Sequence, residues 1–77
     1  MGRRRVPLSA RAWGLLERLA AAQRATGAAV APEAVIRASS VAEWDSIQVL
    51  CQRMLVGITD GRLRLTRAGW SAVNGRR

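Results

Sequence analysis

The sequence predicts an α+β domain that is mostly helical: a run of helices leading into one antiparallel β-hairpin and a short closing helix. Three observations carry this. Apolar residues recur at helical spacing from Leu8 to Ala22 and again from Trp44 to Leu55. Between Val56 and Leu65 the pattern becomes alternating, with Leu63 and Leu65 on one side of an extended segment and Arg62 and Arg64 on the other. Asp60-Gly61 lies between the two halves, and both central residues of a type I′ turn need positive φ, which Asp tolerates and Gly adopts freely.

In chain order, residues 1–7 hold three consecutive arginines with nothing to pack on before Pro7 and Leu8, and read as a basic arm. Ser9 is a suitable N-cap, with Leu8 and Trp13 placed as a hydrophobic staple. Leu8, Ala12, Leu15, Leu19 and Ala22 then form an apolar stripe, widened by Trp13, Leu16 and Ala20, that should run to about Thr26 and stop at Gly27. Residues 27–31 are small, and Val30 suits a brief third strand. Pro32 and Glu33 fit the first turn of a second helix of about two turns, ending at Ala38, with Val35 and Ile36 available for burial. Ser39-Ser40 breaks it, and Ser40 with Glu43 forms a capping box that starts a third helix at Val41. Trp44, Ile47, Cys51, Met54 and Leu55 share one face of that helix, with Leu50 beside it, and Gly57 is expected to end it. Val56 to Thr59 should pair with Arg62 to Leu65. Thr66 then caps a closing helix from Arg67 to Val73, before Asn74-Gly75 and a basic tail at residues 75–77.

At 77 residues the chain has room for one core and little room for a catalytic cleft. Its charge balance is one-sided: 13 basic residues against 5 acidic, a net +8. Fixed positive charge in such excess favours a polyanionic partner, because it steers association and releases condensed counterions. All the basic residues are arginine, which biased codon usage would also produce, but bias leaves the shortage of acids unexplained. One cysteine and no histidine give neither an internal disulfide nor a zinc cluster. No apolar run suits a membrane span and no signal-peptide core follows the basic start, so a soluble cytoplasmic protein is expected.

The segment PEAVIRASSVAEWDSIQVLCQRML followed by GITDGRLRLTRAG, with its L-T-x-x-G at Leu65, Thr66 and Gly69, resembles the winged helix-turn-helix superfamily over roughly Leu8 to Val73. The resemblance implies three helices, a small antiparallel wing at residues 56–65 and a short C-terminal helix, with helix 41–56 as the recognition helix in the major groove. Carried over by position, it assigns base contacts to Ser46, Gln48, Gln52 and Arg53 and backbone contacts to the wing pair Arg62 and Arg64; from their charge, Arg3, Arg4, Arg5, Arg37 and Arg67 are expected to add backbone contacts. Gln can pair with adenine and Arg with guanine through two parallel hydrogen bonds. Glu43 and Asp45, also outward, suit the helix dipole but repel phosphate. Trp13 and Trp44 read as core, Trp70 as cover for the wing base or part of a dimer contact, and Cys51 as a small buried hydrophobe.

No catalytic constellation is present: without histidine, and with serines lacking any evident base, nucleophilic catalysis has no parts, and no phosphate-cradling or dinucleotide glycine pattern occurs. The expectation is a small sequence-specific regulator of transcription, repressor-like, that binds double-stranded DNA as a homodimer through helix 1 or the region of Trp70, with no metal, cofactor or membrane. The alternative is an adaptor or inhibitor on the same scaffold that docks on a protein such as a polymerase or nuclease; association with RNA or the ribosome is a third.

Overall fold

The structure, a computed structural model, describes residues 8–36 and 41–76. Its order is α1 (Ala10–Thr26), a 3-10 turn (Pro32–Ala34), α2 (Val41–Gln52), β1 (Val56–Thr59), β2 (Arg62–Leu65) and α3 (Arg67–Arg76). The architecture is mostly helical, with one two-stranded antiparallel sheet. Among the described residues no helix is long and apolar enough to cross a membrane.

The first helix begins and ends where its caps lie. The Ser9 side chain accepts from the Ala12 amide at 3.1 Å, and Gly27 takes φ 72° while its amide donates to the Gln23 carbonyl at 2.7 Å. Its buried face is Ala12, Leu15, Leu16, Leu19 and Ala20, with Leu8, Trp13 and Ala22 half-buried beside it. That face packs on α2, β2 and α3. The core it closes is apolar throughout: no polar or charged side chain is buried among the described residues. Leu15 and Leu16 of α1, Leu50 of α2, Leu63 of β2 and Val73 of α3 lie at its centre, so each of these elements contributes a fully buried side chain.

Several boundaries differ from expectation. The second helix is a single 3-10 turn over Pro32–Ala34, closed by Val35 and Ile36 amides donating to the Pro32 carbonyl; Val35 and Ile36 are buried as their pattern implies. Its expected last residues, and Ser40 of the capping box, lie outside the described residues. The third helix, α2, ends at Gln52 instead of running to residue 56. Its stop is a Schellman turn made without glycine. Met54 adopts φ 61°, its amide donates to the Cys51 carbonyl at 3.0 Å, and the Leu55 amide reaches the Leu50 carbonyl at 3.0 Å. Gly57 is therefore no terminator; it lies within β1, opposite Arg64. The closing helix continues past Asn74-Gly75 to Arg76.

The helical phase of α2 differs as well. Trp44, expected in the core, is 49% exposed, and Met54, expected on the same inward face, is 72% exposed. The buried arc of α2 is instead Ile47 and Leu50, with Glu43 turned toward α1, where its Oε2 accepts from Arg18 Nη2 at 3.2 Å. Glu43 takes the inward position, so Trp44, one residue on, is carried outward by roughly 100°.

Val30 supplies the third strand in its shortest form. It exchanges two backbone hydrogen bonds with Leu63, at 2.8 and 2.7 Å, as an isolated antiparallel bridge on the β2 side of the sheet.

Candidate nucleic-acid interface

The hairpin follows from its two-residue turn. Asp60 (φ 52°) and Gly61 (φ 73°) both take positive φ, the type I′ requirement, which fixes the register Val56↔Leu65, Gly57↔Arg64, Ile58↔Leu63 and Thr59↔Arg62. Cross-strand partners project from the same face. One face is thus Val56, Ile58, Leu63 and Leu65; the other is Gly57, Thr59, Arg62 and Arg64. Val56, Leu63 and Leu65 are buried, and Arg62 and Arg64 are exposed.

Arg67, at the first position of α3, is exposed as well. Among the described residues Arg18 pairs with Glu43, whereas Arg62, Arg64 and Arg67 meet no described carboxylate. Their guanidinium groups therefore face solvent with their donors available, the state in which they can take phosphate oxygens.

What holds this face in place is the joint built around Thr66. Its amide donates to the Leu55 carbonyl at 3.1 Å and its hydroxyl donates to the Met54 carbonyl, so the hairpin base is tied to the turn that ends α2. The same hydroxyl accepts from the Gly69 amide at 3.0 Å and caps α3. Gly69 lies against the Leu55 carbonyl: a β-carbon there would overlap the oxygen and stand 3.1 Å from the carbonyl carbon. The L-T-x-x-G spacing thereby has a mechanical reason. Hydroxyl and glycine, three residues apart, let α3 start directly on the backbone that leaves α2. A contact without a sequence signal completes the mount, as Gln23 of α1 accepts from the Leu65 amide at 2.9 Å.

The four expected base-contact residues do not form one site: Ser46 and Arg53 line one cleft, and Gln48 lines a different groove. Gln48 and Gln52 are exposed on α2. Ser46 is half-buried, and its hydroxyl donates to the Ala42 carbonyl at 3.0 Å within the helix. Arg53 is half-buried and lines a cleft of about 390 Å³ between the start of α1 and α2, with Arg11, Asp45, Ser46 and Val49. Gln48 belongs to the other side of α2, in a groove of about 340 Å³ shared with Trp44, Asp45, Ile47, Cys51 and Ile58. Of the two outward acids, Glu43 is turned inward and paired, which leaves Asp45 as the exposed carboxylate of α2. Arg3, Arg4, Arg5 and Arg37 lie outside the described residues.

Arg24, which no sequence pattern singles out, sits over the ring of Trp70, 5.1 Å from its centroid, while Trp70 packs half-buried against the core. Burial pushes the Cys51 thiol above its usual range, so at neutral pH it is a protonated thiol and a poor nucleophile. Among the described residues the exposed large hydrophobic ones are Val41, Trp44, Val49, Met54 and Ile58, all on α2, its terminal turn or β1. Ile58 alone carried a weak sequence signal: it shares the inner face with Val56 but stands next to the turn, beyond the cover that reaches Val56. No family model, curated protein or solved structure matches the chain.

Proposed function

We propose that this protein binds double-stranded DNA as a small regulator of the winged helix-turn-helix type, gripping phosphates through the outer face of its hairpin. In this reading β1–β2 is the wing and α2 occupies the place of the recognition helix. The observation that carries it is the exposed set Arg62, Arg64 and Arg67, held on a hydrogen-bonded joint and free of described carboxylates. Two arginines alternating along one strand suit a line of phosphates or a narrow minor groove.

Support for base reading by α2 is narrower. Gln48 and Gln52 are exposed and chemically able to pair with adenine, but Val41, Trp44 and Asp45 share the helix surface and give phosphate nothing to bind. Duplex contact is therefore led by the backbone, which positions the protein without reading sequence. Filter binding of random-sequence duplex across a range of salt concentrations tests this. About four phosphates per subunit give a log–log slope near −3.6. A shallow slope, or no retention of duplex at low salt, overturns the proposal.

A second reading, an adaptor that docks on a protein, is favoured by one observation: the exposed apolar residues concentrated on α2 and β1. Complexes formed that way survive nuclease treatment of a pull-down, whereas DNA-bridged complexes do not.

A further inference from the structure

We propose that the cleft between the start of α1 and α2 binds a small organic acid, one carboxylate on an apolar body. Along α2 it is lined by Asp45, Val49 and Arg53, at the four-residue spacing that stacks side chains on one helical face. The Arg53 amide still donates to the Val49 carbonyl at 3.0 Å, so the row keeps helical spacing one residue past the end of α2. An acid thus stands at one end of the row and a guanidinium at the other, roughly 12 Å along the axis, with an apolar side chain between them. The opposing wall comes from α1 and the residue before its cap: Leu8 and Ala12 are apolar, and Arg11 brings a second guanidinium.

Size and lining suit a small molecule. The cleft measures about 390 Å³, within the range of small-molecule sites, and such sites set a few polar groups in largely apolar walls. Val49 is 38% exposed in the middle of α2, so the apolar wall is uncovered.

Charge selects the class of ligand. Among the described residues no ion pair joins Asp45 to Arg11 or Arg53, although all three line the cleft, so both guanidinium groups keep their donors for a ligand. Two guanidinium groups against one carboxylate leave the lining one net positive charge, which a single carboxylate neutralises through parallel hydrogen bonds. Asp45 opposes any second negative charge. A bare inorganic anion leaves Leu8, Ala12 and Val49 in water, whereas an apolar body covers them.

This site goes beyond the proposed function and does not rest on it, since none of its residues belongs to the hairpin or α3. It gives Arg53 a ligand contact in place of the base contact expected of it.

Titration of the isotope-labelled full chain with benzoate, followed by amide chemical shifts, reads the result. Saturable shifts are expected at the cleft residues of α1 and α2, with a dissociation constant on the order of a millimolar, as suits a ligand of so few atoms. Acetate carries the charge without the body and benzamide the body without the charge; each binds about tenfold more weakly or less. Arg11→Gln and Arg53→Gln each weaken benzoate binding about tenfold, and Asp45→Asn tightens it about twofold. Arg24→Gln removes the same charge at the far end of α1 and leaves it unchanged. Circular dichroism checks the fold of each variant, and Arg11, being exposed, keeps the test decisive even where Arg53→Gln unfolds the chain. Shifts that do not saturate, or that centre on other residues, overturn the proposal. So does binding that survives Arg11→Gln in full, or acetate, benzamide or inorganic phosphate matching benzoate. None of these failures touches the salt dependence of duplex binding, so the two proposals stand or fall separately.

Discussion

At Met54 the backbone turns left-handed, with φ 61°, so that the amides of residues 54 and 55 can reach back and close α2. A β-carbon in that conformation crowds its own carbonyl, and glycine removes the crowding. Met54 is 72% exposed, so little packing is lost with its side chain. Met54→Gly is expected to stabilise the domain by about 1 kcal/mol, read as a higher urea midpoint with an unchanged slope. Gly69 behaves oppositely. Its missing β-carbon is where the Leu55 carbonyl lies, and backbone cannot move aside as a side chain can. Gly69→Ala should destabilise by about 2–3 kcal/mol, seen as a lower midpoint in the same titration. Thr66→Val removes the cap on α3 and the donor to Met54, for a loss of about 1–2 kcal/mol, while Thr66→Ser recovers most of it. The thiol of Cys51, shifted upward by desolvation, should alkylate more slowly than an unstructured cysteine peptide at the same pH, and unfolding in denaturant should abolish the difference.

Among the elements, α1 and the hairpin were legible in the sequence because each is specified locally. Ser9 and Gly27 cap one, and Asp60-Gly61 with the alternating leucines and arginines defines the other. The end of α2 was not legible, since its terminator is a methionine in a conformation that side chains avoid, and the nearest glycine belongs to a strand. The phase of α2 was hidden for a related reason. Apolar spacing alone places Trp44 with Ile47 and Cys51, and the rotation shows only in the long-range pair Arg18–Glu43. The arginine face was visible in the alternation, whereas the joint that carries it depends on Gln23 and Thr66 meeting residues 42 and 12 positions away. The rotated α2 has a measurable consequence. Leu50→Ala, at a side chain 2% exposed, should cost about 2–5 kcal/mol. Trp44→Ala, although it removes far more atoms, should cost no more than about 1 kcal/mol; thermal or urea unfolding of the two variants side by side checks the order.

For the whole molecule, the helices and the hairpin's apolar face make the core, and the hairpin's other face is left to cationic side chains. The same sheet thereby separates two surfaces: hairpin arginines on one side, and on the other, toward α2, a groove with no arginine among the described residues. One surface suits a polyanion and the other a neutral partner, so binding at one need not displace binding at the other. Net charge alone would raise affinity for any polyanion, however it was arranged. What distinguishes the proposed function from this general attraction is the assignment of the phosphate contacts to Arg62 and Arg64. The salt dependence of duplex binding, compared between the wild type and the chain carrying Arg62→Ala with Arg64→Ala, isolates that role. Loss of two phosphate contacts should make the log–log slope less steep by about 1.8 per subunit while the far-ultraviolet spectrum stays the same. An unchanged slope in the folded double variant would refute the role of these arginines and put the grip elsewhere on the protein.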